Sequence, residues 1–261
     1  MTYLTYPQLG RVGRLGNSMW ELASTVGMAR KLGMDPLFPP TWAYRPIFSV
    51  PDEMFGTEKG PISSDLATEL DPSERPYLQH RSLWADNEDE VLGLFNASAY
   101  ARSIIFEQHD FFALPRPVLS VHVRRGDLVQ ANNPTPNVHL YHPLRPAKYY
   151  TEAMAELLPR VKSVAVFGED PEWNRANIPG DWYSDHPPDD PAIDWLDLFL
   201  ISLCERHVLS NSTYGVWGAY LSGDQEAIYP ENWYGPLVSA DNHAMTLPGW
   251  REFPCEVGVP T

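Results

Sequence analysis

The segment from Val118 to Asp127 reads VLSVHVRRGD, and it constrains the fold more than any other part of the chain. Its first six residues are rich in apolar and β-branched side chains, as in a buried strand. Arg124, Arg125, a glycine and Asp127 follow directly. Ligands of open α/β sheets bind at the carboxyl ends of the strands, and a guanidinium group fits phosphate oxygens in pairs. The segment therefore indicates a phosphate or pyrophosphate site. The alternative is an Arg–Asp pair that only closes the turn after the strand.

The net charge makes this arginine pair stand out. The chain has 261 residues, with 19 basic and 34 acidic side chains, and a formal charge of −15 at pH 7. An acidic surface argues against nucleic acid or an anionic membrane as the partner. Two adjacent arginines in such a chain therefore suggest a dedicated anion site. The length allows one large domain or two small ones.

Cysteine usage and hydropathy predict a soluble protein. Cys204 lies in an apolar run, where a buried and inert thiol is expected, and Cys255 is the only other cysteine. Two cysteines in a chain of this length do not indicate a disulfide scaffold. No stretch approaches the roughly 18 consecutive apolar residues of a membrane span, and the first residues lack the pattern of a signal peptide. We expect a cytoplasmic location, with peripheral membrane association left open.

The second half of the chain alternates between strand and helix patterns, which implies a parallel sheet with helices on both sides. Strands are predicted at 118–123, 163–167 and 207–210, and helices at 146–158, 194–205 and 214–221. The rigid Pro-Arg-Pro sequence at 115–117 marks a domain boundary. We therefore predict an N-terminal α/β domain at 1–115, a C-terminal Rossmann-like domain at 116–240 and a tail at 241–261.

The N-terminal half has fewer signals. A helix is predicted from about residue 13 to residue 32, because apolar residues recur there at helical spacing, and Asn17 or Ser18 is its expected cap. Two glycines and a cation precede it, which suits an anion at the helix N-terminus but is also how ordinary turns are made. A further helix is predicted within 91–106, and loops and short elements at 33–90.

Three predicted strands of the second half end in polar residues. The strand with the arginines ends in HVRRGD, the next ends in FGED, which includes Glu169 and Asp170, and the third ends in SNST. Together they can form one pocket, with the hydroxyl, amide and N–H groups of 210–213 suited to phosphate oxygens. The two acids can accept hydrogen bonds from a base or a sugar. The alternative for them is an ordinary helix start, an acid before a proline.

Metal chemistry has little support in the sequence. Glu169 and Asp170 are adjacent, so their side chains need not converge on one ion. His139 and His142 lie three apart in a loop rich in proline and asparagine, without a third ligand, and loop histidines of this kind are usually structural or incidental. There is no GxSxG elbow and no P-loop signature. We therefore expect no metal site.

Five motifs together resemble the inverting alpha-1,2-fucosyltransferases of glycosyltransferase family 11. The stretch GRLGNSMW at 13–20 resembles the family's GGLGNQMFQYA opening, and 122–127 matches its HxRRGD motif. The stretch FGEDPEW at 167–173 is similar to FSDDxxW, and 197–204 with His207 resembles DxxLMxxCxH. The stretch at 210–219 is similar to SNSTFSWWGA. The motifs occur in the family's order, whereas 33–115 carries no resemblance.

The resemblance implies an α/β, GT-B-like fold, with two facing Rossmann-like domains and parallel sheets. It also implies GDP-β-L-fucose as the donor substrate, held mainly by the C-terminal domain, a glycan acceptor, and no required cofactor or metal. The implied donor-binding residues are Gly16, Asn17, His122, Arg124, Arg125, Glu169, Asp170, Asn211, Ser212 and Thr213.

The resemblance also implies roles for these residues. His122 and the two arginines would contact the phosphates and sugar, and Ser212 and Thr213 would help hold the pyrophosphate. The acids at 169–170 would lie beside guanine or ribose, and the glycine and asparagine at 16–17 would approach the donor from the N-terminal domain. Arg124, Arg125 and Asp127 are the catalytic candidates. Asp127 would support the arginines or the fucose, and it is also the candidate general base.

The departures from the family pattern concern the acceptor and the linkage. Ser18 and Glu21 replace the two glutamines of the opening motif, Leu128 replaces a tyrosine, and Glu169 replaces the first aspartate of FSDD. Gly-Val at 215–216 replaces Ser-Trp. The interpretation is a fucosyltransferase that acts on O2 of a galactoside. The alternatives are another fucosyl linkage, a catalytically inactive GDP-sugar-binding protein, or a plain α/β nucleotide-binding or interaction domain.

Overall fold

A computed structural model of the protein shows two compact units. Unit 1 comprises Met1–Ile104 with His243–Thr246, and unit 2 comprises Ile105–Asn242 with Leu247–Thr261. The residues that the structure describes are 2–11, 13–56, 77–129, 138–186, 190, 192–223, 226–238, 241 and 243–256.

Unit 1 is built on a pair of parallel strands and a long helix. The strands are β1 (Tyr3–Thr5) and β2 (Asp35–Leu37), and the helices are α1 (Leu15–Lys31), α2 (Glu88–Leu94) and α3 (Ala99–Ile105), the last of which ends at the first residue of unit 2. Short 3-10 turns lie at Asp52–Met54, Arg81–Leu83 and Ala85–Asn87. The helix predicted within 91–106 is present as α3, and α2 overlaps the start of that range, with a break between Leu94 and Ala99.

Helix α1 differs from its prediction in its start. It begins at Leu15 after Arg14, without a side-chain cap, so the predicted caps lie inside the helix. The hydroxyl of Ser18 donates to the carbonyl oxygen of Leu15 at 2.9 Å. Gly13 has a positive φ of 75°, and a Cβ there would lie 2.1 Å from the side-chain amide nitrogen of Asn17. The chain therefore needs a glycine at this turn.

Unit 2 contains a six-stranded, fully parallel sheet in the order β5-β4-β3-β6-β7-β8. Its strands are β3 (Val118–Val123), β4 (Ser163–Gly168), β5 (Trp182–Tyr183), β6 (Arg206–Val208), β7 (Glu226–Pro230) and β8 (Arg251–Phe253). Its helices are α4 (His109–Phe112), α5 (Gly126–Val129), α6 (Ala147–Leu157), α7 (Pro171–Asn177), α8 (Leu196–Ser202) and α9 (Thr213–Leu221). Two 3-10 turns lie at Val138–Leu140 and Leu158–Arg160.

The predicted α/β, GT-B-like class is confirmed, because each of the two units contains parallel strands. The three strands predicted from the sequence are adjacent in the sheet, with β3 between β4 and β6. All six residues of β3 are buried, as expected for a central strand covered on both faces. Apolar and aromatic residues of α6 pack against β3 and β4 in the core of this unit. The boundary at 115/116 and the separate tail at 241–261 stay predictions. Within that tail, Arg251–Phe253 forms β8.

A buried polar chain joins β3, β6 and the residue after α9. The Ser120 hydroxyl lies 2.7 Å from Nδ1 of His207, and Nε2 of His207 lies 2.8 Å from the hydroxyl of Ser222. Because Ser222 donates its proton to the carbonyl oxygen of Ala219, its oxygen accepts from Nε2–H, and Ser120 then donates to Nδ1. Burial lowers the pKa of His207 to about 3, so the ring is neutral. These hydrogen bonds hold β3 and β6 together, and both strands end in polar clusters of the predicted site.

Glu21 is the most unusual residue of unit 1. It is fully buried in α1, and one of its oxygens accepts a hydrogen bond from the backbone N–H of Gly10 at 3.2 Å. The other oxygen is buried and has no hydrogen-bond partner among the described residues. Burial raises the pKa of Glu21 to about 8, because a charged carboxylate is costly away from water. The carboxyl group is therefore mostly protonated at neutral pH.

We predict that Glu21→Gln stabilises the protein, and that the gain grows as the pH rises from about 4.5 to about 8. Over this range the folded chain keeps a proton that the unfolded chain releases, so the wild type loses up to about 1.4 kcal/mol of stability per pH unit. The neutral glutamine does not titrate. Thermal unfolding at several pH values checks this, with the exposed Glu53→Gln as the control. A gain that does not change with pH would contradict the prediction.

Candidate active site

The carboxyl ends of β4, β3 and β6 bring the predicted site residues of unit 2 to one edge of the sheet. Val121 pairs with Val166 of β4 on one side and with Val208 of β6 on the other. Because the three strands are parallel and adjacent, the residues that follow them emerge side by side. The prediction that the HVRRGD, FGED and SNST segments lie at the same edge of the sheet is therefore confirmed.

Arg124 is held by its own turn and by the segment after β6. Its Nη2 atom lies 3.0 Å from Oδ2 of Asp127, and its Nε atom lies 3.4 Å from Oδ1. Its Nη1 atom donates to the carbonyl oxygen of Asn211 at 3.0 Å. The side chain is only 16% exposed. Asp127 therefore orients Arg124, and the Arg–Asp pair that the sequence suggested is present.

Arg125 is held in a different way. Its Nε atom lies 3.2 Å from Oδ2 of Asp170, and its guanidinium carbon lies 4.0 Å from the ring centre of Trp173. The flat guanidinium group thus lies over an aromatic face, which is a favourable cation–π arrangement. Within the described residues only Nε of Arg125 is hydrogen-bonded, so both terminal nitrogen atoms remain for a ligand.

Asp170 has two structural partners. Its Oδ1 accepts a hydrogen bond from the backbone N–H of Trp173 at 3.0 Å and so caps α7, and its Oδ2 binds Arg125. The helix start that the sequence offered as an alternative is therefore present for this residue. Glu169 lies beside Gly126: a Cβ on this glycine would come within 2.6 Å of the Glu169 carboxyl group. Contacts of these acids with guanine or ribose stay predictions.

His122 is almost completely buried at the end of β3. Its Nδ1 atom lies 3.0 Å from the hydroxyl of Ser210, and its ring stacks on that of Tyr214 with 5.7 Å between centroids. A Cβ on Gly215 would lie 2.8 Å from Nδ1 of His122. The glycine that replaces the serine of the resembled motif thus lets α9 approach this histidine.

The segment after β6 leads directly into α9. Ser212 occupies the N-cap position of this nine-residue helix without a side-chain capping bond, and Thr213 is its first residue. The first turn of a helix has backbone N–H groups without intrahelical partners, which favours an anion nearby. The side-chain amide of Asn211 donates to the carbonyl oxygen of Pro143 at 3.1 Å. Asn211 therefore links Arg124 to the loop before α6.

Gly16 and Asn17, the predicted donor contacts of the first half, lie in unit 1. Both are within the first turn of α1, and the side-chain oxygen of Asn17 accepts a hydrogen bond from Gln79 at 2.9 Å. Their contact with a donor stays a prediction. Sequence reasoning missed the contact of Trp173 with Arg125, although the motif at 167–173 contains this tryptophan.

The electrostatics of the cluster in unit 2 combine two arginines with the carboxyl groups of Asp127, Glu169 and Asp170. The arginines are therefore oriented by acids and are not bare charges. Among the described residues, no three His, Cys, Asp or Glu side chains lie together as metal ligands. None of the helices in the described ranges has both the length and the apolar character that a membrane span needs.

Comparison with known proteins shows which family the chain belongs to. The profile described as "Glycosyl transferase family 11" matches residues 86–253, more than half of the chain. The chain therefore belongs to glycosyl transferase family 11, and the resemblance drawn from the five motifs is confirmed.

Several individual proteins are similar to this chain. The O-antigen biosynthesis glycosyltransferase WbnK of Escherichia coli is 25% identical over 67% of this chain and 58% of its own length. The chain thus spans less than two thirds of that relative. Galactoside alpha-(1,2)-fucosyltransferase 2 of Bos taurus is 25% identical over 95% of this chain and 79% of its own length. Among solved structures, a variant of Arabidopsis thaliana FUT1 in complex with GDP has 14% identity and a TM-score of 0.49, covering 89% of this chain and 71% of that chain.

We predict that Asp170→Ala destabilises unit 2 by about 1 kcal/mol, because the cap of α7 is lost. Asp170→Asn keeps a good capping side chain and removes only the charge that faces Arg125, so it should cost less. Urea unfolding of both variants checks this. Glu172→Ala, at an exposed position of the same helical turn, is the control. Equal losses for Asp170→Ala and Asp170→Asn would show that the cap does not stabilise the helix.

Proposed function

We propose that the protein is an inverting fucosyltransferase that moves L-fucose from GDP-β-L-fucose to a hydroxyl group of a glycan acceptor, with O2 of a galactoside as the target. The observation that carries the proposal is the position of Arg124 and Arg125 at the carboxyl end of the central strand, on the same sheet edge as the start of α9. Membership of glycosyl transferase family 11 and the similarity to a galactoside alpha-(1,2)-fucosyltransferase support the donor and the linkage.

The proposed reaction is a single displacement at the anomeric carbon of fucose. The acceptor oxygen attacks this carbon, the bond to the β-phosphate oxygen breaks, and its electron pair stays on GDP. The developing negative charge needs donors that are already in place. The terminal nitrogen atoms of Arg125, the oriented Arg124 and the start of α9 supply such donors. We propose that these groups, and not a metal ion, stabilise the leaving diphosphate.

Incubation with GDP-fucose and a panel of galactosides tests the proposal. We expect release of GDP and an α-linked fucosylated product, with activity retained in EDTA. Calorimetry should show a preference for GDP over ADP. GDP binding without turnover on any acceptor would favour an inactive GDP-sugar-binding protein, and a product at another hydroxyl would correct the linkage. Equal affinities for GDP and ADP would contradict the nucleotide specificity.

Arg124→Ala and Arg125→Ala should each lower turnover by about two to three orders of magnitude while the fold survives, since one preorganised donor contributes roughly 3–4 kcal/mol to such a barrier. Steady-state kinetics with circular dichroism as the folding check measures this. Arg160→Ala is the control, because this exposed arginine precedes β4 and pairs with Glu226. Near-normal turnover in both site variants would remove the arginines from the mechanism.

A further inference from the structure

The proposed displacement needs a group that takes the proton of the acceptor hydroxyl, and two carboxylates near the arginines are poor candidates. Asp127 faces Arg124 through both of its oxygens. Asp170 uses one oxygen to cap α7 and the other to bind Arg125. Both oxygens of each carboxylate therefore already accept hydrogen bonds. The two acids orient arginines, which leaves the role of proton acceptor to another group of the site.

The loop that carries His142 is attached to the arginine cluster. The Asn211 backbone carbonyl accepts from Nη1 of Arg124 at 3.0 Å, and its side-chain amide donates to the carbonyl oxygen of Pro143 at 3.1 Å. Through these two hydrogen bonds, Asn211 connects Arg124 to Pro143, the residue that follows His142 in the sequence. This connection brings the loop of His142 to Arg124.

The same loop is held from its other side by the segment after β7. The backbone N–H of Gly235 donates to the carbonyl oxygen of Tyr141 at 2.8 Å, and the ring of His142 faces that of Tyr234 with 6.3 Å between centroids. A Cβ on Gly235 would lie 2.2 Å from the carbonyl oxygen of Leu140. The loop and this segment are therefore in close contact, and the imidazole has a defined position.

The imidazole of His142 has a nitrogen atom that none of the described residues engages. The ring is half-buried, and its Nδ1 atom is buried without a hydrogen-bond partner in the described part of the chain. Burial and the positive charge of Arg124 lower the pKa of His142 to about 4, and Asp127 acts in the opposite direction. Among the described residues, Arg124 and Asp127 are the two charged groups that act on the ring. The imidazole is therefore neutral at pH 7, the state in which it can accept a proton.

We infer that His142 is the general base of the proposed fucosyl transfer, an inference that rests on the proposed function. As the acceptor oxygen forms its bond to the anomeric carbon, its proton moves to the imidazole of His142. The bond from this carbon to the phosphate breaks at the same time, and GDP leaves with the electron pair.

Donor binding prepares this histidine for its role. The diphosphate of the donor brings negative charge next to Arg124, which offsets the charge that disfavours protonation of His142. The pKa of His142 then rises toward the working pH, where a general base is most effective. The sequence alone suggested an incidental loop histidine, because Arg124 and His142 are brought together only by the contacts of the loop.

Kinetics of His142→Gln test the inference. We expect kcat to fall by about 10²- to 10⁴-fold, the usual contribution of a general base, with the affinity for GDP within about twofold of the wild type. His109→Gln, an exposed histidine of α4 in the same unit, is the matched control and should retain full activity. The acid limb of the kcat–pH profile should be absent in His142→Gln. A kcat within threefold of the wild type, or an equal loss in GDP affinity and kcat, would overturn the inference.

A second measurement uses the wild-type protein without an acceptor, so it does not depend on whether a variant folds. In the wild-type protein with isotopically labelled histidine, an NMR titration should show the pKa of His142 rising by at least one unit when GDP is bound, while that of His109 stays unchanged. GDP binding without this rise overturns the inference and leaves the proposed function standing. If GDP does not bind at all, the proposed function fails, and the inference fails with it.

Discussion

The site depends on the pairing of each arginine after the central strand with a different carboxylate. Asp127 holds Arg124 from within the same turn, whereas Asp170 holds Arg125 from the end of the neighbouring strand. A free arginine side chain samples many rotamers, and fixing it costs conformational entropy. Here that cost is met during folding, so both guanidinium groups are oriented before a ligand arrives. Such preorganisation is what electrostatic stabilisation of a leaving group requires.

The pairing depends in turn on the register of the parallel sheet. Strand β3 is flanked by β4 and β6, so Asp170 and Asn211 emerge on either side of the arginines. The buried chain from Ser120 through His207 to Ser222 holds the same strands from within the core. Close packing also explains two glycines: side chains at 126 and 215 would collide with Glu169 and His122. The site is thus a consequence of how the core of unit 2 packs.

Much of unit 2 could be predicted because its signals are local. The apolar runs of β3 and β4, the proline before α6 and the helical spacing of α8 and α9 each lie within a short window. Errors occurred where local signals were weak or where packing overrode them. The stretch 91–106 contains the end of α2 and the whole of α3, so its boundaries were not predicted. Helix α1 begins before its expected caps, because the turn at Gly13 and not a capping side chain determines its start.

By itself the sequence determined the class of fold, the family and the identity of the arginine pair, since these reside in strand–helix alternation and in short motifs. Only the tertiary structure decided what each side chain does. It placed Asn211 against Arg124 across 87 positions of the chain, put Trp173 beneath Arg125, and brought the loop of His142 to the cluster. The physical reason is that these contacts arise from strand register and from hydrogen bonds between distant segments. The periodicity and spacing of residues along the chain indicate neither the strand register nor these hydrogen bonds.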